Sequence, residues 1–271
     1  MTTEAIRTCR ASIAKHSKSF ALASQLLPGH ARDPAAVIYA WCRRADDAVD
    51  HVSPEAQGPA VDRLRSELES IYSGSRQSDP VLAAFADVVR ECGIPEEYPL
   101  ELIAGMEMDA AGYDYATLED LLLYCYRVAS TVGLMMCHVM GLRSEHAMRH
   151  AAHLGIAMQL TNICRDIYED WQMDRIYVPR DVLENHGLGS LGDRVTGVFP
   201  TEARGPMAAV VQQLLDLADD FYASADHGLI SLDFRSALAV RTARKVYAAI
   251  GGRIADLSFD VLGGRAVVPT P

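Results

Sequence analysis

The sequence predicts an all-α protein built as a single helical bundle, and three observations support this prediction. Apolar residues recur at spacings of three and four through several long runs. No run alternates apolar and polar residues between Asn-Gly or Asp-Gly turns, so strand signals are poor. The breaks between the runs are short, which predicts neighbouring helices packed in one domain over residues 1–271.

Helix signals in the first two thirds of the chain define three long helices. Residues 35–51 form the first, with Asp33 as the predicted N-cap and Pro34 at the first helical position. Residues 117–141 form the second, which starts with a capping box that has Asp in place of Glu and stops at a glycine. Residues 144–171 form the third, which starts at Ser144.

The remaining third of the chain predicts a short helix, a loop and two long helices. Pro179 begins the short helix, which ends near Gly187. Residues 187–200 contain four glycines and are the predicted loop. Residues 201–227 and 233–262 have the spacing of long helices, and the chain ends soon afterwards, which fits a natural end or a C-terminally shortened domain.

Composition narrows the class of partner and the location. The net charge of −11 argues against nucleic acid as a partner, since phosphate backbones need clustered Lys and Arg. It does not exclude a phosphorylated substrate, because a metal ion reverses the local charge. No stretch reaches the roughly 18 apolar residues of a membrane span, and the sequence shows no obvious basic amphipathic anchor. We therefore predict a cytoplasmic protein whose membrane contact is transient and peripheral.

The first acidic cluster lies at the end of helix 35–51. Tyr39, Arg43, Asp46 and Asp50 fall on one helical face, and Asp47 adjoins them. Two aspartates at i,i+4 cost a helix about 0.2–0.5 kcal/mol. A shared Mg²⁺, which prefers oxygen ligands, would explain the pair. The alternative is a solvated acidic helix end.

A second acidic cluster lies in helix 144–171, where an amide and two carboxylates recur at offsets of four. Its charged and amide residues, with a nearby arginine, are Gln159, Asn162, Arg165, Asp166, Asp170 and Arg175. The oxygens suit a hard cation, and the arginines suit phosphate oxygens. The alternative is an exposed face with intrahelical pairs, but two such clusters on separate helices favour a metal site.

Carboxylates on two facing helices would hold Mg²⁺ ions that bind a diphosphate and stabilise it as a leaving group. The allylic carbocation left behind needs a dry cavity, so we expect a central hydrophobic one. Candidate lining residues are Val128, Ala129, Val132, Gly133, Leu134, Met136, Ile156 and Ala157. Candidate aromatic residues that would stabilise the cation are Phe20, Tyr39 and Tyr247.

At these residues the sequence resembles the squalene/phytoene synthase family, and within it the bacterial phytoene synthases. The matching stretches are 17–20, 39–50, 124–133, 159–170, 175–179 and Tyr247. The resemblance implies the isoprenoid synthase fold and head-to-head condensation of two geranylgeranyl diphosphates to phytoene through a cyclopropyl diphosphate. It implies Mg²⁺, with Mn²⁺ as an alternative, no NADPH, and downstream carotenoid enzymes as partners. The alternative is a C30 synthase that makes squalene, presqualene diphosphate or dehydrosqualene from farnesyl diphosphate.

The resemblance also implies residue roles. Asp46, Asp50, Asp166 and Asp170 would be catalytic and bind Mg²⁺-diphosphate, and Asn162 would be a further metal ligand. The substrate would contact Ser19, Phe20, Tyr39, Arg43, Asp47, Tyr124, Val128, Ala129, Val132, Gly133, Gln159, Arg165, Arg175 and Tyr247. Two departures are Ser130, where many relatives carry a Gly, which would narrow the tunnel, and the early end after Arg265.

Two other function classes fit less well. A di-iron carboxylate bundle needs Glu-x-x-His pairs, and the sequence has none. His146, His150 and His153 share a helix face without a carboxylate cluster, which predicts a polar surface stripe. A non-enzymatic helical module would not explain why aspartates are paired at i,i+4 on two separate helices.

Overall fold

The computed structural model describes residues 1–142, 144–192, 197–263 and 266, and within these ranges it contains helices and no strands. The α-helices are α1 (Thr3–His16), α2 (Lys18–Leu26), α3 (Gly29–Asp50), α4 (Pro54–Tyr72), α5 (Pro80–Cys92), α6 (Glu97–Ala110), α7 (Leu118–Cys125), α8 (Thr131–Val139), α9 (Glu145–Gln172), α10 (Arg180–Asn185), α11 (Arg204–Gly228) and α12 (Phe234–Asp256). A π-helical turn, Tyr126–Ser130, joins α7 to α8. The all-α prediction is confirmed.

Side-chain caps fix several helix starts where the sequence predicts them. The Thr117 hydroxyl accepts from the backbone of Asp120, whose carboxylate accepts from Thr117 in return, so the capping box is present. Asp233 caps α12 by accepting from two backbone N–H groups. However, α12 ends before the predicted residue 262, because Ser258 and Phe259 adopt positive φ angles of 57° and 60°.

The predicted start of α3 is wrong. The helix begins at Gly29 rather than after Asp33, so Pro34 lies inside it. Helical hydrogen bonding is already established at Ala31, whose N–H donates to the Pro28 carbonyl at 3.0 Å. Pro34 therefore removes one bond near the beginning of the helix, where the loss costs least. Asp33 instead accepts from Arg10 Nε at 2.7 Å and ties α3 to α1.

Two hydrophobic clusters form the interior. One surrounds α9 and α11 and contains Trp171 and Leu214. The other surrounds α3 and α5, where the rings of Trp41 and Phe85 stack at 4.3 Å. Val128 of the π-helical turn packs against both clusters. A largely apolar cavity of about 320 Å³ lies in the middle of the bundle. A single domain over residues 1–271 stays a prediction, and Arg265 lies outside the described residues.

One helical segment corrects the prediction that no stretch has the length of a membrane span. Leu118–Val139, which joins α7, the π-helical turn and α8, is apolar and long enough at 22 residues, and half of it is buried. Its buried face packs on α6 and α9, whereas Val132 and Met136 on another face line the cavity. The apolar residues of this segment that are not buried in the core are therefore explained by the cavity that they line.

The π-helical turn is held between two glycines. An ideal Cβ built on Gly155 of α9 would lie 2.4 Å from Ser130 Cα, and one on Gly105 of α6 would lie 2.6 Å from Val128 Cγ1. The Ser130 hydroxyl donates to the Ala152 carbonyl of α9 at 2.6 Å. The expectation that Ser130 narrows the tunnel is wrong, because its side chain points to the α9 backbone and does not line the cavity.

Candidate active site

Arginines pair with the carboxylates of both acidic clusters. On α3, Arg43 contacts Asp46 at 3.1 Å and also pairs with Asp47. On α9, Arg165 Nε donates to Asp166 at 2.7 Å. The predicted clusters therefore exist on their helices, and each already contains a guanidinium group of the kind that binds phosphate oxygens.

Arg175 connects the two clusters. Its backbone N–H donates to the Asp170 carbonyl at 2.9 Å, which folds the chain back after α9. Its side chain reaches α3 and contacts Asp50 at 3.3 Å. The positive charge of Arg175 also favours the ionised form of Asp170, and so partly offsets the rise in pKa that burial causes. The carboxylates of α3 and α9 thus face one another across Arg175.

Asp109 of α6 adds a carboxylate that the sequence analysis missed. Tyr124 and Tyr177 each donate a hydroxyl hydrogen bond of 2.9 Å to it. Burial raises the pKa of Asp109 to about 6, although both hydrogen bonds and the charge of Arg175 oppose this rise. Helix α6 also carries Glu97, Glu101 and Glu107, so no local signal singled out Asp109. Tyr124, predicted to contact substrate, binds Asp109 and does not line the cavity.

The acidic groups raise one another's pKa. Burial is the main cause that raises the pKa of Asp170 to about 7, and the negative charges of Asp166 and Asp109 add to it. Burial and the charge of Asp50 raise the pKa of Asp46. Both shifts mean that the site places negative charge where it is unfavourable, and a bound cation would offset this cost.

The chemistry of the site fits Mg²⁺. Asn162 Oδ1 is buried and has no hydrogen-bond partner, whereas its Nδ2 donates to Gln159 Oε1 at 3.4 Å. An orphaned oxygen beside carboxylates suits a hard cation. In the described part of the chain, however, no three His, Cys, Asp or Glu side chains converge as a metal-binding group, and Arg43 and Arg165 pair with aspartates of the two clusters. The ligand set Asp46, Asp50, Asn162, Asp166 and Asp170 therefore stays a prediction.

The cavity begins beside these clusters and has most of the predicted lining. Predicted residues that do line it are Phe20, Tyr39, Val128, Ala129, Val132, Gly133, Met136, Gln159, Asn162 and Tyr247. The Phe20 ring lies 6.2 Å from Tyr39 and 5.6 Å from Tyr247, so the three aromatic rings form one group in the cavity wall. The charges of Arg43 and Asp46 act on Tyr39, which places this group beside the first acidic cluster. Ser19 does not line the cavity. Leu134, Ile156 and Ala157 are buried in the core instead, which corrects their assignment.

The histidine prediction is wrong for His150. This residue is 9% exposed and lines the cavity, and its Nδ1 lies 3.1 Å from the Ser224 hydroxyl of α11. His153 contacts the same hydroxyl at 2.7 Å, and only His146 is exposed at the surface. The helix α11, which a local sequence pattern could not place against α9, covers this face.

Sequence relatives match nearly the whole chain. Residues 13–271 match the profile of the family described as Squalene/phytoene synthase. A phytoene synthase from Rhodobacter capsulatus is 40% identical over 265 residues, which are 96% of this chain and 76% of that protein. A 15-cis-phytoene synthase from Paracoccus sp. is 39% identical over 256 residues, which are 92% of this chain and 82% of that protein.

Solved structures share the helical architecture. A dehydrosqualene synthase in complex with a ligand superposes with a TM-score of 0.84 at 28% identity, and the match covers 95% of this chain and 88% of that one. The squalene synthase HpnC from Alicyclobacillus acidocaldarius superposes with a TM-score of 0.82 at 25% identity, over 95% of both chains. These matches confirm the isoprenoid synthase fold, and with the family profile they show that the chain belongs to the squalene/phytoene synthase family.

Proposed function

We propose that this chain condenses two molecules of geranylgeranyl diphosphate head to head and forms phytoene. One observation carries the proposal: carboxylates from α3 and α9 face each other across Arg175, beside an aromatic-lined opening into an apolar cavity. Such a site takes a charged head group and a long apolar chain together. The relatives named phytoene synthase, at 40% and 39% identity, support this substrate and product.

The charged residues of the chain would bind and orient the diphosphate. Bound Mg²⁺ would neutralise the diphosphate oxygens and make them a better leaving group. Arg43, Arg165 and Arg175 would exchange their carboxylate partners for phosphate oxygens. The aspartates released in this exchange would then be available as metal ligands, and Asn162 Oδ1, which is buried without a hydrogen-bond partner, would join them.

The cavity would protect the carbocations. When the first C–O bond breaks, diphosphate leaves an allylic cation, which the double bond of the second substrate attacks. Loss of a proton closes the cyclopropyl ring of the intermediate diphosphate. Departure of the second diphosphate, rearrangement and loss of another proton give phytoene, and no reductant is consumed. The apolar walls exclude water, and the faces of Phe20, Tyr39 and Tyr247 would stabilise positive charge.

A product assay tests the substrate and the reaction. Purified protein is incubated with Mg²⁺ and either farnesyl or geranylgeranyl diphosphate, with and without NADPH, and extracted hydrocarbons are identified by mass spectrometry. We expect a C40 hydrocarbon from geranylgeranyl diphosphate, at the same rate with or without NADPH.

The alternative is a C30 synthase, which the structural similarity to dehydrosqualene and squalene synthases favours. Squalene formed with consumption of NADPH would establish this alternative. Dehydrosqualene or presqualene diphosphate from farnesyl diphosphate alone would do the same. Either result would contradict phytoene formation while leaving the condensation chemistry in place.

Binding of Mg²⁺ and diphosphate should raise the thermal stability of the protein, and this effect can be measured without turnover. Mg²⁺ and inorganic diphosphate added together should raise the melting temperature, because a ligand at one hundred times its Kd stabilises a protein by about 2.7 kcal/mol. Asn162→Ala should reduce this rise, since it removes an oxygen ligand. Asp220→Asn on the exposed side of α11 is the matched control and should keep the full rise. An equal rise in both variants would contradict the role of Asn162.

A further inference from the structure

Helices α2 and α12 form one wall of the cavity. They pack on each other in opposite directions: Phe20 lies beside Tyr247, and Arg235 Nε donates to the Leu26 carbonyl at 3.3 Å. Their inner faces line the cavity through Phe20, Ala23, Ser24, Ala239, Val240, Ala243 and Tyr247. These two helices lie between that side of the cavity and the surface, and we call them the α2–α12 wall.

The outer side of this wall exposes large apolar side chains. Phe234 is 81% exposed and Leu238, one turn later on the same face of α12, is 41% exposed. Ile230, just before α12, is 91% exposed, and Leu22 of α2 is 52% exposed. Single exposed apolar residues are ordinary, but three on two packed helices, with a fourth just before α12, mark an interaction surface.

The wall also carries a charge opposite to that of the rest of the protein. Its two helices contain six Lys and Arg residues and a single acidic residue, Asp256. The whole chain has 25 basic and 36 acidic residues. Arg241 and Lys245 are exposed and continue the face of Phe234 and Leu238 at helical spacing. Apolar tips with basic flanks are the pattern of a helix surface that lies on an anionic membrane.

We propose that the α2–α12 wall docks on an anionic lipid surface and that the hydrocarbon product leaves through it. The second part rests on the proposed function, since a C40 hydrocarbon has negligible solubility in water and needs an apolar route out. Such a route requires only that α2 and α12 separate, because their inner faces already contact the cavity. A second copy of the chain is a poorer occupant, since two basic faces would repel each other.

The sequence alone does not show that α2 and α12 pack together, because they come from opposite ends of the chain. The hydrogen bond between Arg235 and Leu26 joins residues 209 positions apart. Helix α12 alone supplies five of the six basic residues, with Phe234 and Leu238, and packing against α2 adds Lys18 and Leu22. The proposal gives the expected peripheral membrane contact a defined docking face.

Vesicle sedimentation tests the docking step without any turnover. Wild-type protein is mixed with vesicles of phosphatidylcholine alone or with one third phosphatidylglycerol, and the bound fraction is measured after centrifugation. We expect binding to the anionic vesicles only. Phe234→Ser with Ile230→Ser, and separately Arg241→Glu with Lys245→Glu, should each weaken binding about tenfold or more.

Matched controls distinguish binding through the α2–α12 wall from nonspecific binding through any exposed apolar or basic side chain. Val198→Ser removes an apolar side chain that is 94% exposed elsewhere, and Arg76→Glu reverses an exposed charge on another surface. Both controls should bind like wild type. Equal binding of the wall variants and wild type would overturn the proposal. A wild-type protein that is a dimer and becomes a monomer in the wall variants would also overturn it, because this result would assign the face to self-association.

Turnover in detergent micelles keeps this test independent of the proposed function. The wall variants should convert substrate at the wild-type rate in detergent, because none of the four residues lines the cavity or the acidic clusters. With anionic vesicles in place of detergent, they should release product more slowly. Vesicle binding without any hydrocarbon synthesis would support docking and refute phytoene formation, so the two proposals fail separately.

Discussion

Asp170→Asn is expected to lower turnover by at least about a hundredfold, the scale of losing one preorganised electrostatic contact to the reacting group. Asp170 belongs to the second acidic cluster and lies near Arg175 and Asp109. Arg175 in turn contacts Asp50 of the first cluster. Asn has nearly the same shape and retains one oxygen, but it does not supply the negative charge that a divalent cation requires. The fold should survive because no core contact is lost.

The same substitution should increase stability at alkaline pH. Burial raises the pKa of Asp170 to about 7 from the 3.8 of an exposed group, so folding favours the protonated form. Ionised Asp170 therefore costs stability, and this cost grows as the pH rises from about 4 to about 7. The Asn variant lacks this cost. It should melt above wild type at pH 8, and the difference should shrink as the pH falls towards 4.

Melting curves and rates measured on the same samples check both effects. Asp220→Asn, which neutralises an exposed carboxylate on α11, is the matched control and should change neither property. A variant that loses activity and melts far below wild type at pH 8 would show that Asp170 is structural. Full activity with normal Mg²⁺ dependence would remove it from the proposed ligand set.

Features that depend on spacing within one helix could be predicted from the sequence. Asp46 and Asp50, or Asn162 and Asp166, are four residues apart, and helical geometry alone places each pair on one face. Asp109 could not be predicted in the same way, because its tyrosine partners come from α7 and from the segment after α9. The partners of a buried carboxylate are set by tertiary packing, on which local spacing carries no information.

The lining of the cavity shows the same limit. Val132 and Gly133 were correctly predicted, whereas Leu134, one residue later, faces the core. A helix has buried residues on several faces when one side lines a cavity and another packs on its neighbours, so apolar periodicity does not distinguish them. His150 was missed for a related reason, since only the packing of α11 on α9 buries it.

Gly155→Ala is expected to destabilise the protein by about 3 kcal/mol, the upper end of the usual cost of overpacking. The added Cβ would lie 2.4 Å from Ser130 Cα and 2.5 Å from Ser130 N, and backbone atoms cannot rotate away as a side chain would. α9 and the π-helical turn must then separate. For a chain of this size the melting temperature should fall by about 10 °C.

Activity should fall as well, because the same turn positions the cavity wall. Val128 and Ala129 belong to the π-helical turn and line the cavity, so a shift of Ser130 displaces them towards the substrate. Gly105 closes the other side of the turn so tightly that an ideal Cβ built on it would lie 2.6 Å from Val128 Cγ1, which leaves little space for relief in that direction. Loss of turnover in folded protein at low temperature would distinguish this displacement from simple unfolding.

Gly252→Ala provides the matched control for the alanine substitution. Gly252 also lies inside a long helix, but an added Cβ there meets nothing within 4 Å. Because alanine has the higher helix propensity, this variant should gain up to about 1 kcal/mol. The opposite signs of the two effects isolate the contact from propensity. A melting temperature of Gly155→Ala at or above that of wild type would show that α9 and the π-helical turn do not pack backbone to backbone. The position of the cavity wall formed by this turn would then be wrong.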